Sequence, residues 1–146
     1  MPAQAFIDAG LDLVVSALRV AAGAGDDLGP RRGPLLADLK RDALAGLGDP
    51  VLSPAAVARA GYVSARQLHR LFAEGQSFGA WVHEQRLRRC RDDLADAGLG
   101  HLAIGEIAER WGYRSAAHFT RAFAVRFGVT PRDFRRTALR ASSPAR

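Results

Sequence analysis

The sequence predicts an all-α chain built on a duplicated helical unit, and three observations carry that prediction. Apolar residues recur three and four positions apart along most of the 146 residues, as they do on one face of a helix. Apart from the short VRFGV stretch, no alternation of β-branched residues suggests a strand. One phrase is written twice, as GYVSARQLHRLF at 61–72 and GYRSAAHFTRAF at 112–123.

The elements follow in order. Ile7, Leu11, Val14, Val15 and Leu18 form one apolar stripe and predict an amphipathic N-terminal helix over 5–22. GAGDDLGPRRGP then reads as a linker. Leu35, Leu36, Leu39, Ala43 and Leu47 give the inner face of a helix over 35–47, which Asp49-Pro50 ends. Ser53-Pro54 opens a short helix, with serine as N-cap and proline at the first helical position, and it stops near Gly61. Ser64 caps the next helix, in which Leu68, Leu71 and Phe72 share a face. After EGQSFG a long helix is predicted over 78–97, with Gly98 and Gly100 past its end. A short helix over 104–110, a turn at WGYR and a longer helix over 115–127 repeat the earlier order. Gly128 and Thr130-Pro131 start a last helix through Phe134 and Leu139. The expected organisation is an N-terminal helix and linker (1–33), a first lobe (34–77), a connecting helix (78–97) and a second lobe with a tail (98–146).

Composition narrows the function. The length suits one domain or two small lobes on a shared framework, and 48% hydrophobic residues suffice for a core. Residues 1–50 carry five basic and seven acidic side chains, whereas 51–146 carry sixteen basic and eight acidic ones. A surplus confined to one part of the chain suits a polyanionic partner there, although a soluble protein of basic pI would show the same count. The one cysteine, Cys90, excludes a disulfide scaffold and a multi-cysteine zinc site. No run reaches the length of a membrane span, and no basic segment followed by an apolar one opens the chain, so a cytoplasmic protein is expected.

Set against itself with an offset of 51, the chain has seven identities in the thirteen pairs from Gly61/Gly112 to Ala73/Ala124. Each copy is a short helix, a tight turn and a second helix, which is the helix-turn-helix order. Two copies are too few for a solenoid of packed hairpins. On the first second-helix, Arg66 and Arg70 lie opposite the apolar face, flanked by Gln67 and His69. On the other, Ala117 and Arg121 lie opposite Phe119, Ala122 and Phe123, flanked by His118 and Thr120. Arginine can grip guanine or phosphate, and glutamine can pair with adenine, while a solvated charged face is the bland alternative. Spacing argues for recognition: a helix of about 20 residues is roughly 30 Å long, close to the 34 Å between successive major grooves on one side of B-DNA.

IGEIAERWGYRSAAHFTRAFAVRFGVTPRDFR resembles the C-terminal signature of the AraC/XylS family of bacterial transcription regulators, through Ile104, Ile107-Ala108, Gly112-Tyr113, Phe119, Arg121, Phe123, Gly128, Pro131 and Phe134-Arg135. Upstream, LSPAAVARAGYVSARQLHRLF is similar to the family's first helix-turn-helix, and Arg86, Leu87, Cys90 and Leu94 fit its linker helix. The resemblance covers about residues 34–137. It implies two homeodomain-like helix-turn-helix lobes entering adjacent major grooves of double-stranded DNA. Base contacts carry over to Arg66, His69 and Arg70, and to Ala117, His118 and Arg121. Phosphate contacts carry over to Arg114, Thr120 and the amides near Thr130. Three departures stand out, one being a loop around Gly75 that is a residue shorter than the family's. Ala117 offers only a methyl group, so the first lobe is expected to discriminate more, and Gly61-Tyr62 replace the family's apolar-Gly pair.

Other residues are quieter. Cys90 is expected to be a buried packing thiol, with a redox sensor as the minor alternative. The four histidines, His69, His83, His101 and His118, lie on separate elements and predict no metal site. No nucleophile and base are placed together, so neither catalysis nor a cofactor is expected. The charges of RLRRCRDDLADA predict a solvated face with local pairs, with Arg86 or Arg89 as further phosphate candidates. The front stripe reads as the end of a sensor or dimerisation domain, or as an extra helix of a small activator, and is expected to dock either on its own lobe or on another copy as a homodimer contact. The expected function is a sequence-specific activator for which RNA polymerase is a second partner. A helical interaction module with little DNA specificity is the rival, and RNA binding is a weaker third since no aromatic stacking platform is visible.

Overall fold

A computed structural model of the chain describes residues 29–142, which form seven α-helices and contain no strand. They are α1 (Arg32–Ala45), α2 (Pro54–Ala60), α3 (Ala65–Phe72), α4 (Phe78–Ala95), α5 (Ile104–Arg110), α6 (Ala116–Phe127) and α7 (Pro131–Ser142). The stripe from Ile7 to Leu18 lies outside the described residues. No described helix is long and apolar enough to cross a membrane.

Helix starts obey local chemistry. The hydroxyls of Ser53, Ser64, Ser77 and Ser115 accept from the amides of Ala56, Gln67, Ala80 and His118, each satisfying one donor that the first turn leaves unpaired. At α5 the N-cap is Ala103, and the Glu106 carboxylate compensates by accepting its amide hydrogen.

Two apolar cores hang on α4. Its first half gives Phe78, Trp81 and Val82 to a cluster with Leu39 and Ala43 of α1, Val57 and Ala58 of α2, and Leu68, Leu71 and Phe72 of α3. Its second half gives Leu87, Cys90 and Leu94 to a cluster with Ile107 and Ala108 of α5, Tyr113, and Phe119 and Phe123 of α6. Trp111 packs against both. Phe123 is fully buried, with the rings of Phe119, Phe127 and Phe134 4.6–5.7 Å away.

Two expectations need correction. The connecting helix ends at Ala95, not 97, so its 18 residues span about 27 Å; an Asp96-capped 3₁₀ turn at Ala97–Leu99 takes over. The repeat also changes register inside its own phrase. Helices α2 and α5 and their buried pairs Val57-Ala58 and Ile107-Ala108 correspond at an offset of 50, and so do the turn bonds from Val63 to Ala58 and from Tyr113 to Ala108. The capping serines and the buried residues of α3 and α6 correspond at 51. The two Gly-Tyr pairs are therefore not equivalent. Tyr62, at φ 54°, takes the left-handed position that Gly112 takes at φ 83°. Gly61 has an ordinary φ of −85° and is small because a Cβ there would collide with the Leu39 side chain. The second turn holds one more residue before its serine, which is Arg114.

Candidate nucleic-acid interface

Each lobe offers one exposed helical face opposite a buried one. On α3, Leu68, Leu71 and Phe72 are buried while Arg66 and His69 are exposed and Arg70 is half-buried. The 8 residues of α3 amount to about two turns, so Arg66 and Arg70, four apart, stack on one side. Gln67 has a different duty: its side-chain oxygen accepts from the Ser64 amide at 3.0 Å, closing a capping box. Pairing with adenine in two bonds needs that oxygen, so the cap and the base contact compete.

On α6, Phe119 and Phe123 are buried while Ala117, His118, Thr120 and Arg121 are exposed, and Arg114 is exposed just ahead of the cap. The His118 ring lies 6.1 Å from both Tyr113 and His83, and the Tyr113 hydroxyl is 3.5 Å from His83 Nδ1. Burial, then the nearby His118, lowers the His83 pKa below its ordinary value. Farther along, Arg126 grips Glu84 of α4 in two bonds of 2.7 and 2.8 Å, and Arg88 adds a third. Above all the Arg126 bond, assisted by Arg88 and opposed by burial, holds the Glu84 carboxyl at about 2.

Thr130 is committed as a cap. Its hydroxyl donates to the Asp133 carboxylate at 2.7 Å and accepts from the Asp133 amide. That carboxylate already complements the positive end of α7, leaving backbone amides as the means of binding an anion there.

Sequence reasoning also missed the structural roles of Arg32, Arg86 and Arg89. Arg32, assigned to the linker, belongs to α1 and donates to the carbonyl of Arg70 at 3.2 Å while pairing with Glu74. Arg86, a phosphate candidate, is turned inward to the carbonyls of Leu47 and Asp49. Arg89 stays exposed but lies over the Trp111 ring at 5.7 Å. Their targets are carbonyls or a ring distant in sequence, which no local pattern reveals. Cys90 is fully buried with its thiol facing the Ile107 carbonyl at 3.9 Å, and burial pushes its pKa up to about 12, the profile of a packing residue. No group of three metal-ligating side chains exists among the described residues.

Two capped helices with polar outer faces, each set on its own core and both cores on one rod, define a double helix-turn-helix protein of the kind that reads nucleic acid. A family model described as a helix-turn-helix domain matches residues 57–137, more than half of the chain. The chain belongs to the AraC-type helix-turn-helix family of transcription regulators. The transcriptional activator NphR of Rhodococcus sp. is 29% identical over 142 residues, 97% of this chain but 42% of that protein. The chain thus spans less than half the length of this curated relative. An AraC-type regulator from Chromobacterium violaceum has a similar structure, with a TM-score of 0.68 and 30% identity, covering 77% of this chain and 96% of that one. The DNA-binding domain of AdpA, a global transcriptional factor solved in complex with a target DNA, matches with a TM-score of 0.62 and 26% identity over 76% of this chain and 97% of its own.

Proposed function

We propose that the chain binds a specific duplex sequence by laying α3 and α6 in successive major grooves, and that it activates transcription from that site in the cytoplasm. The carrying observation is that α3 and α6 each turn a polar face outward from cores built on the two halves of one continuous α4. The names of NphR and AdpA support transcription activation and a DNA partner. Arg66, His69 and Arg70 read bases in the first groove, and Ala117, His118 and Arg121 in the second. Arg114, Thr120 and the amides at Thr130 and Arg132 meet phosphate, while Gln67 serves the start of α3. The reading needs neither cofactor nor catalysis, and it leaves RNA polymerase as the downstream partner.

Selection from random duplex DNA tests it. Two motifs about one helical turn apart should be enriched, and enrichment of none refutes the proposal. Affinity should fall steeply with salt, because each phosphate neutralised releases a counterion. Since Ala117 leaves α6 with fewer polar contacts, Arg66→Ala or Arg70→Ala should each relax discrimination at its base by about 1–3 kcal/mol and by more than Arg121→Ala does. A larger loss for Arg121→Ala reverses that ranking.

A further inference from the structure

Arg86 occupies the seam between the lobes. It stands on α4 between Val82, which belongs to the first core, and Leu87, which belongs to the second. Its Nε donates to the Leu47 carbonyl at 3.0 Å and its Nη2 to the Asp49 carbonyl at 2.6 Å, both in the loop between α1 and α2. The same guanidinium also rests against the α5–α6 turn at Gly112. A Cβ on Gly112 would stand 2.9 Å from Arg86 Cζ and Nη2. The loops themselves also touch, since a Cβ on Gly48 would stand 2.8 Å from the Arg110 carbonyl oxygen. Other ties from α4, such as Glu84 to Arg126 and Asp93 to the Trp111 indole at 2.7 Å, reach the second lobe alone.

We propose that Arg86 is a positioning residue that sets the separation and relative rotation of α3 and α6, and so selects the half-site spacing the chain accepts. The inference rests on the DNA-binding reading above. The Leu47–Asp49 loop leads into α2, and the Gly112 turn is three residues from the cap of α6, so both reading helices are placed by backbone that Arg86 holds. A rotation of one lobe against the other must either break two hydrogen bonds from a charged donor or open a contact with no space for even a methyl group. Two of its donors are committed to carbonyls of its own chain, which turns the group toward the seam and away from a phosphate role.

Two measurements on Arg86→Ala and Arg86→Lys test this. In the first, duplexes carrying the selected motifs are varied in spacing by one and two base pairs. Wild type should prefer one spacing by about tenfold or more, and Arg86→Ala should cut that ratio to roughly threefold or less while binding single motifs as wild type does. In the second, without DNA, spin labels at Ala60→Cys and Val125→Cys, both on exposed positions, report the distance between lobes. Arg86→Ala should broaden a narrow distribution, and Arg86→Lys, which keeps one donor within reach, should broaden it less. A helical, cooperatively melting Arg86→Ala with a narrow distribution and unchanged spacing preference overturns the proposal. If Arg86→Ala does not fold, an Arg86→Lys as narrow as wild type overturns it instead. If wild type selects no paired motif, the DNA-binding reading fails, and the distance measurement still decides whether Arg86 fixes the lobes.

Discussion

Gly112 and Tyr62 show how much one residue's backbone decides. Both sit left-handed at the turn of their lobe, where a side chain ordinarily costs about 1–2 kcal/mol. Gly112 avoids that cost and also leaves room for the Arg86 guanidinium, whereas Tyr62 bears it in a turn where its side chain stays 45% exposed. Gly112→Ala adds the strain and displaces a guanidinium held by two hydrogen bonds. It should lower unfolding stability by about 2 kcal/mol or more, measurable by denaturant titration. Tyr62→Gly should cost far less, because relief of strain offsets the added freedom of the unfolded chain. Equal losses in the two variants contradict this account. At this scale the glycine pair was legible as letters but misleading as structure, because an identity in sequence carries no φ angle.

At the scale of elements, the serine caps connect sequence most directly to recognition. Ser64 and Ser115 fix where α3 and α6 begin, and hence the rotation at which their arginines emerge. Ser64→Ala removes one hydroxyl acceptor and one side of a capping box, so it should destabilise by about 1 kcal/mol. The bond from the backbone amide of residue 64 to the Gln67 side chain survives the substitution, so the loss falls on the Gln67 amide, which is left without its acceptor. Amide hydrogen exchange at Gln67 and Leu68 should quicken in the variant, and unchanged protection there counts against the cap's role. Helix order and the caps Ser53 and Ser64 were legible because capping depends on residues within three positions, and Ser77 and Ser115 cap by the same local rule. The end of α4 was misjudged by two residues, since Asp96 can start its own 3₁₀ turn as readily as it can continue a helix.

For the molecule as a whole, α4 and its partners give stability a pH dependence. His83, half-buried and faced by Tyr113, His118, Glu84 and Arg86, has a lowered pKa in the folded chain. The unfolded state then binds a proton first, so stability is full above about 6.5 and declines as pH falls through the folded value. Glu84, held at about 2 against an ordinary 4.5, contributes stability above the higher value and loses it as pH falls toward the lower. Thermal melts should thus show one decline starting just below neutrality and a second below 4.5. His83→Gln should remove the first and Glu84→Gln the second. If neither variant changes its part of the profile, these contacts do not govern it.

The sequence by itself determined the helical class, the order of the elements, the duplicated unit and the faces that go inside, because periodicity, caps and turns are local and each is written within a few residues. It also indicated which faces of α3 and α6 turn outward, since the opposite of an apolar face follows from helix geometry alone. Only the tertiary structure decided what Arg32, Arg86 and Arg126 do, which turn residue is left-handed, and how the lobes meet. Those outcomes depend on carbonyls and carboxylates brought together from 37 to 42 positions away, or on a backbone angle, and an arginine's letter is the same whether its charge faces phosphate or its own chain.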